Sequence, residues 1–153
     1  MEGCLACDLY AGGTPLPGGV IHETRHWVVE HCVGPLGLGT LVVKPKRHVV
    51  HVADLGRDES DELGPLLRLA ARGATEVTSP DQVYVTLWSH AGAQPGHIHW
   101  VVQPVTRAQM AAHGLHGPRL QVAMLERGYP PPADDVEAIA VRLRALFAGP
   151  ERA

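Results

Sequence analysis

Two histidines, His97 and His99, stand two residues apart in the apolar run GHIHWVVQPV (residues 96–105). Because side chains alternate across a β-strand, His97, His99, Val101 and Gln103 are expected on one face, and the apolar residues between them on the core face. The two imidazoles would then look into a cleft about 7 Å apart. One could ligate a metal ion while the other acts on a substrate. Two surface histidines on a half-exposed strand are the alternative.

A second group with chemical potential is the cysteine pair of CLAC, in which Cys4 and Cys7 are spaced C-x-x-C. The chain has three cysteines, an odd number that suits metal binding better than a disulfide framework. A redox pair would need the motif at the start of a helix that follows a strand, and Cys4 lies too near the beginning of the sequence for that. Zinc binding is the favoured interpretation, with a free thiol pair as the alternative. Cys32 is expected to be a buried small apolar residue.

The elements that must position these residues are strands in the first half and helices in the second. Extended segments are predicted at about Val20 to His22, His26 to Cys32, GTLVVKPKRH as far as Pro45, QVYVTLWS and HIHWVVQ. From Asp58 to about Val77 the apolar residues follow helical spacing behind an acidic first turn. Pro65 lies inside that segment, so the helix is expected to start after its acidic leader or to bend there.

The C-terminal third is predicted to be helical. PRLQVAMLERG forms a short helix that stops at Gly128, and DDVEAIAVRLRALF a longer one capped by Asp134 or Asp135. This order of elements predicts an α+β fold with a largely antiparallel sheet and packed helices. With 153 residues, a single domain over 1–153 is expected, with the motifs in about 4–105 and a helical extension over about 106–148.

The composition narrows the classes of partner. Thirteen Lys plus Arg against sixteen Asp plus Glu give a formal net charge of −3, which argues against a surface that binds nucleic-acid polymers. A small anionic ligand in one basic pocket remains compatible with this charge. The sequence shows no secretory signal and no apolar stretch long enough for a membrane span, so a cytoplasmic protein without membrane contact is expected.

Taken together, the motifs resemble those of the histidine triad (HIT) family. HIHWVVQP is similar to its signature, in which three histidines alternate with apolar residues, and matches it through the first two histidines. GTLVVKPKRH resembles the glycine-led strand that ends in Pro-Lys-x-His, HETRHWVV resembles the segment before that strand, and CLAC resembles the C-x-x-C of zinc-binding bacterial members. The resemblance covers about Cys4 to Val105.

This resemblance implies a HIT-like α+β fold, a homodimer, and a nucleoside-phosphate ligand whose α-phosphorus is attacked by the middle histidine, His99. The expected product of that attack is a nucleotidyl-histidine intermediate, which water or another acceptor resolves. The resemblance also implies structural zinc bound by Cys4, Cys7, His48 and His97. His51 is the rival of His48, but the Pro-Lys-x-His motif selects His48.

Phosphate oxygens need hydrogen-bond donors, and the loop before the histidine strand offers Ser89, His90 and Gln94. Ordinary loop polarity is the alternative for Ser89 and Gln94. His113 and His116 fall outside the resemblance and are expected to be solvated.

The chain departs from the family pattern at two histidine positions, where it has Val101 and Thr40. A change near Glu30 to Cys32 also replaces the aspartate that often holds the ribose. Two functions remain open. The first is a nucleotidyl hydrolase or transferase acting on a dinucleoside polyphosphate, a nucleoside phosphoramidate or an acyl nucleotide. The second is a catalytically silent nucleoside-phosphate binder or zinc-stabilised interaction module.

Overall fold

A computed structural model describes residues 3–91 and 96–149 as an antiparallel sheet flanked by helices. The elements in chain order are α1 (Leu5–Ala11), β1 (Val20–Glu23), β2 (Trp27–His31), β3 (Leu41–Pro45), a 3-10 turn (Val52–Asp54), α2 (Arg57–Thr78), β4 (Gln82–Trp88), β5 (His99–Val105), α3 (Arg107–His113), α4 (Gly117–Arg127) and α5 (Ala133–Ala148). The α+β class and the antiparallel sheet are confirmed. Within the described ranges, no helix is both long enough and apolar enough to span a bilayer.

The five strands have the order β1-β2-β3-β5-β4, and every neighbouring pair is antiparallel. The register places Glu30 of β2 opposite Val42 of β3, and Val42 opposite Val101 of β5. These three residues therefore lie in one row on the same face of the sheet. The two motifs that the sequence singled out lie on β3 and β5, which are neighbouring inner strands of the sheet.

One face of the sheet packs against α2 and α5. The buried residues of this core come from four strands and two helices: Ile21, Trp27, Val29, Leu41, Val43, Leu66, Ala70, Ala74, Val77, Val102, Ile139, Ala140 and Leu143. The helices approach closely at Gly73, where a Cβ would lie 2.5 Å from Cε1 of Phe147. Pro65 is inside α2, which runs without interruption from its acidic first turn, so the expected late start is wrong.

The other face is covered by α1 and α4. Val101 and Val105 of β5 pack there against Leu36, Leu120 and Met124. Gln103, on the same face, is fully buried and donates from Nε2 to the carbonyl of Leu36 at 2.8 Å. This part of the histidine face is thus a second core and not the open cleft that strand alternation predicted.

Two further expectations need correction. β5 starts at His99, so His97 lies before the strand and not on its face. The N–H of Ile98 donates to the carbonyl of Val49 at 2.8 Å, a contact with the loop after β3 that turns this segment out of the sheet. The N-cap of helix α5 is Pro132, and not Asp134 or Asp135 as expected. The two aspartates lie in the first turn, where their negative charges interact favourably with the helix dipole.

Candidate metal centre and adjoining cavity

Four potential metal ligands converge where the N-terminus meets the sheet. Cys4 and Cys7 come from the start of α1, His48 from the loop after β3, and His97 from the residues before β5. Their ligand atoms all lie within 4.8 Å of one another. His51, the rival of His48, is exposed and does not belong to this cluster.

The spacing of these atoms fits tetrahedral zinc. Zn–S bonds of about 2.3 Å and Zn–N bonds of about 2.0 Å place sulfur and nitrogen about 3.5 Å apart. Sγ of Cys7 lies 3.4 Å from Nδ1 of His48 and 3.5 Å from Nδ1 of His97, and Sγ of Cys4 lies 4.0 Å from Nδ1 of His97. Two thiols and two imidazoles are also the donor set that zinc prefers. The residues present therefore fit the metal.

Without a cation, the surroundings favour a neutral imidazole at His97 and a neutral thiol at Cys7. Burial, together with the neighbouring His48 and Lys44, lowers the pKa of His97 to about 4. Burial and the neighbouring Cys4 thiol raise the pKa of Cys7. A neutral imidazole is ready to bind a metal ion, whereas the thiols must lose protons, which a divalent cation promotes.

His99, the first residue of β5, is not a member of this cluster. Its Nδ1–H donates to the carbonyl of His97 at 2.9 Å, so the proton of the neutral ring sits on Nδ1 and the lone pair on Nε2. Burial lowers the pKa of His99, which keeps the ring neutral near pH 7. His31, in contrast, has both ring nitrogens engaged, with the carbonyl of Cys32 and the N–H of Gly39. Among the described residues, no hydrogen bond is made at Nε2 of His99.

His99 lines a cavity of about 530 Å³ between α1 and α4. The wall is mostly apolar, and its residues are Leu5, Ala6, Leu9, Glu30, Cys32, Val33, Gly34, Leu36, Val42, Lys44, Trp88, Ser89, His90, His99, Val101 and Leu125. Such a volume accommodates a nucleotide-sized molecule. The cavity and the Cys/His cluster share α1 as a wall, because Cys4 and Cys7 flank Leu5 and Ala6 in sequence.

The predicted phosphate-binding residues are only partly described. Ser89 and His90 are exposed and line the cavity beside His99. Gln94 lies outside the described residues. Cys32 is half-buried and lines the cavity, so it is not the fully buried core residue that was expected. Of the two histidines expected to be solvated, His116 is exposed and His113 is half-buried.

The two positions that lack the expected imidazoles are core positions. Val101 is 2 % exposed and packs under α4. Thr40 is fully buried, and its hydroxyl donates to the carbonyl of Leu36 at 2.9 Å. Neither residue offers a proton to the cavity.

A buried ion pair in the cavity wall was missed by sequence reasoning. Lys44 is 1 % and Glu30 is 2 % exposed, and Nζ of Lys44 lies 2.5 Å from Oε1 of Glu30. Nζ also donates to the carbonyl of Ala6 in α1, at 2.8 Å. The only signal in the sequence was one charged residue at an inward position of each of two apolar strands.

Solved structures with the same architecture are histidine triad proteins. A HIT-like protein involved in cell-cycle regulation from Bartonella henselae is 16 % identical, with 95 % of this chain and 97 % of that chain covered and a TM-score of 0.71. A zinc-bound histidine triad family protein from Mycobacterium smegmatis is 21 % identical over 95 % and 94 % of the chains, with a TM-score of 0.67. A hypothetical histidine triad nucleotide-binding protein from Sulfolobus tokodaii is 17 % identical over 94 % and 91 %, with a TM-score of 0.70.

The protein has the histidine triad fold, which confirms the resemblance at the level of three-dimensional structure. No protein-family model and no curated protein sequence matches the chain significantly. The fold thus persists here at sequence identities of 16–21 % to these structures.

Proposed function

We propose that the protein is a member of the HIT family that binds nucleoside phosphates and transfers or hydrolyses a nucleotidyl group. The substrate would be a dinucleoside polyphosphate, a nucleoside phosphoramidate or an acyl nucleotide. The observation that carries this proposal is His99, a neutral imidazole in the cavity wall whose Nδ1–H is bound to a backbone carbonyl. This hydrogen bond leaves a lone pair on Nε2, which is what a nucleophilic histidine requires. One structural neighbour is named as a nucleotide-binding protein, which supports the ligand class.

In the proposed reaction, Nε2 of His99 attacks the α-phosphorus. A phosphorus–nitrogen bond forms while the bond to the leaving group breaks, and the leaving group takes the electron pair. Water or another acceptor then attacks the same phosphorus and releases His99. Ser89 and His90, which are exposed and line the cavity, would donate to phosphoryl oxygens. The carbonyl of His97 holds the ring orientation through both steps.

Zinc at Cys4, Cys7, His48 and His97 is proposed as a structural metal. When bound, it would supply a tetrahedral cross-link between α1 and the sheet. The four protein ligands leave no open coordination position for a substrate. His97 would then have two roles: its ring binds zinc, and its backbone carbonyl orients the ring of His99.

A silent nucleoside-phosphate binder, or a zinc-stabilised interaction module, is the second candidate. The observation that favours it is the absence of imidazoles at Thr40 and Val101, both of which are buried in the core. If the protein is an enzyme, it is expected to use leaving groups that depart without a proton, such as pyrophosphate or an acyl phosphate-like group. Amine and alkoxide leaving groups need an acid that neither Thr40 nor Val101 provides, so of the three substrate classes the dinucleoside polyphosphate and the acyl nucleotide are favoured over the phosphoramidate, whose leaving group is an amine.

The test is rapid quenching of the protein with labelled nucleotides, followed by a search for a phosphorus–nitrogen adduct that survives base but not acid. We expect the adduct in the wild type and none in His99→Ala, which should fold normally and still bind nucleotide. His31→Gln is a control for loss of a buried imidazole, since His31 is absent from the cavity wall. Equal turnover by wild type and His99→Ala refutes the nucleophile, and binding without turnover favours the silent binder.

We also propose that the protein forms a homodimer in the cytoplasm. Strand β4 is at the edge of the sheet and pairs only with β5 in the described part of the protein. Val85 and Leu87 on this strand are 44 % and 42 % exposed. An apolar edge strand is a surface that a second copy can cover. Light scattering should give twice the mass of the chain, and a mass near 16.4 kDa would contradict the dimer.

A further inference from the structure

The accessible polar side chains of the cavity are grouped around His99. Trp88, the last residue of β4, pairs with His99, and the exposed residues Ser89 and His90 follow it directly. Most of the remaining wall is aliphatic: Leu5, Ala6, Leu9, Val33, Leu36, Val42, Val101 and Leu125. A ligand with its phosphate at His99 therefore finds hydrogen-bonding side chains at that end of the cavity.

The loop between β2 and β3 forms the other end. Strand β3 begins opposite Val102, so this loop leaves the sheet about 10 Å along β5 from His99. Beyond Cys32, the loop residues in the wall are Val33, Gly34 and Leu36. Helix α4 meets the loop here, since a Cβ at Gly34 would lie 3.9 Å from Cδ1 of Leu125. These three loop residues and Leu125 are the apolar end of the cavity.

The described wall presents no free positive charge to a ligand. Lys44 is the only lysine or arginine in that part of the wall, and its ammonium lies 2.5 Å from the carboxylate of Glu30. The two residues are 1 % and 2 % exposed, so the pair is neutral as a whole and closed to the cavity. A polyphosphate leaving group would bring several negative charges to this wall without a cation to meet them, which is unfavourable.

The apolar end leaves hydrophobic surface uncovered. Val33 is 39 % exposed and Leu125 is 44 % exposed, although both line the cavity. Ribose hydroxyls placed there would lose water and gain no partner among the described side chains of the apolar end. A hydrocarbon chain loses nothing on entering, and each methylene removed from water raises the affinity about fourfold.

We infer that the apolar end binds the acyl chain of an acyl nucleotide, so that the substrate is a nucleoside monophosphate joined to an aliphatic carboxylic acid. This inference rests on the proposed function and specifies its leaving group. The phosphate lies at His99, the nucleoside extends toward the exposed side chains of Ser89 and His90, and the chain runs toward Leu125.

The chemistry of the leaving group agrees with this arrangement. Nε2 of His99 forms the bond to phosphorus, the bond between phosphorus and the carboxylate oxygen breaks, and the carboxylate leaves with the electron pair. A carboxylate is stable without a proton near pH 7, so the step needs no general acid. This is the condition that the buried residues Thr40 and Val101 impose.

The test is calorimetric titration of the intact, zinc-loaded protein with acyl sulfamoyl nucleosides, in which a sulfamate replaces the reactive phosphate so that binding is measured without turnover. The nucleoside is adenosine or guanosine, whichever has the monophosphate that binds more tightly. We expect the hexanoyl compound to bind at least about tenfold more tightly than the acetyl compound, since four fully buried methylenes set a ceiling of about 200-fold. The dinucleoside tetraphosphate of the same base should bind no more tightly than the acetyl compound.

Leu125→Asn tests the position of the chain. An amide at this point of the wall should reduce the ratio of hexanoyl to acetyl affinity at least about threefold. Val122→Asn is the matched control, because Val122 is 48 % exposed on the same helix and is not in the cavity wall. Both positions are exposed, so both variants should fold, and Val122→Asn should keep the ratio of the wild type.

The outcomes separate this inference from the function on which it rests. Equal binding of the acetyl and hexanoyl compounds, or tighter binding of the dinucleoside tetraphosphate than of the hexanoyl compound, overturns acyl selection and leaves nucleotide binding intact. An unchanged ratio in Leu125→Asn, or an equal loss in Val122→Asn, overturns the place assigned to the chain. If neither AMP, GMP nor any of the analogues binds, both the selection and the proposed function fail.

Discussion

Replacing Lys44 by methionine should destabilise the protein far more than an ordinary loss of a lysine. Methionine keeps the apolar stem of the side chain but removes the ammonium, leaving Glu30 buried at 2 % exposure and the carbonyl of Ala6 without its donor. Breaking a buried ion pair by removing one partner costs about 3–5 kcal/mol. For a chain of this size, such a loss lowers the Tm by about 10 °C.

The assay is urea unfolding of wild type and Lys44→Met at pH 7.5. Lys46→Met is the control, because Lys46 is half-exposed and its partner Glu23 is 52 % exposed. An ion pair of that kind contributes at most about 1 kcal/mol. A deficit in Lys44→Met no larger than that of Lys46→Met would refute the argument from burial.

The pH dependence gives a second criterion. In Lys44→Met, the charge and hydrogen bond that lower the pKa of Glu30 disappear, while the burial that raises it remains. A carboxyl whose folded pKa exceeds its unfolded pKa binds more protons in the folded state between those two values. The free energy of unfolding of the variant should therefore recover as the pH falls toward the unfolded pKa of Glu30. A deficit independent of pH would contradict an uncompensated carboxylate.

The double variant Glu30→Leu/Lys44→Met removes both charges. Apolar residues of similar volume often replace a buried ion pair at little cost, so the double variant should be more stable than Lys44→Met alone. A double variant as unstable as the single one would show that the loss came from the contact with Ala6 and not from the unpaired carboxylate.

Freshly purified protein should contain one zinc ion per chain, as metal analysis can check, and chelation should lower the Tm because the four ligands tie α1 to the sheet. His97→Ala should lower zinc content and Tm together, whereas His99→Ala should change neither; a normal zinc content in His97→Ala would contradict its role as a ligand. Leu120→Ala should cost about 3 kcal/mol in urea unfolding, because Leu120 is fully buried under β5. Val122 lies on the same helix and is 48 % exposed, so Val122→Ala should cost less than about 0.5 kcal/mol. Equal losses of stability in Leu120→Ala and Val122→Ala would refute the second core.

The sequence predicted the local elements well, because periodic apolar residues and their terminators act over short distances. Pro45 ends β3 and Gly128 follows the end of α4, as expected. Helices α1 and α3 were not predicted: each has only seven residues, too few for a clear apolar period. The spacing of Cys4 and Cys7 was visible in the sequence, but their approach to His48 and His97 followed only from the family resemblance.

What the sequence did not reveal depends on contacts between distant residues. Alternation placed His97 on the strand, whereas its neighbour Ile98 bonds to the loop after β3. The same alternation could not show that α4 would cover Val101, since α4 lies beyond the motif. The structural role of Lys44 depends on its hydrogen bonds to Glu30 and Ala6, which are 14 and 38 residues away along the chain.

The attachment of α1 also sets an order of events in folding. A helix of seven residues is not stable by itself, and α1 relies on Lys44 and on the partners of Cys7. One of those partners, His97, follows Cys7 by 90 residues, so it leaves the ribosome long after the helix does. Helix α1 therefore becomes stable only after the sheet has formed. Its amide protons should exchange through local opening at a lower free energy than those of β3 and β5, so the cavity can open on one side while the sheet remains folded.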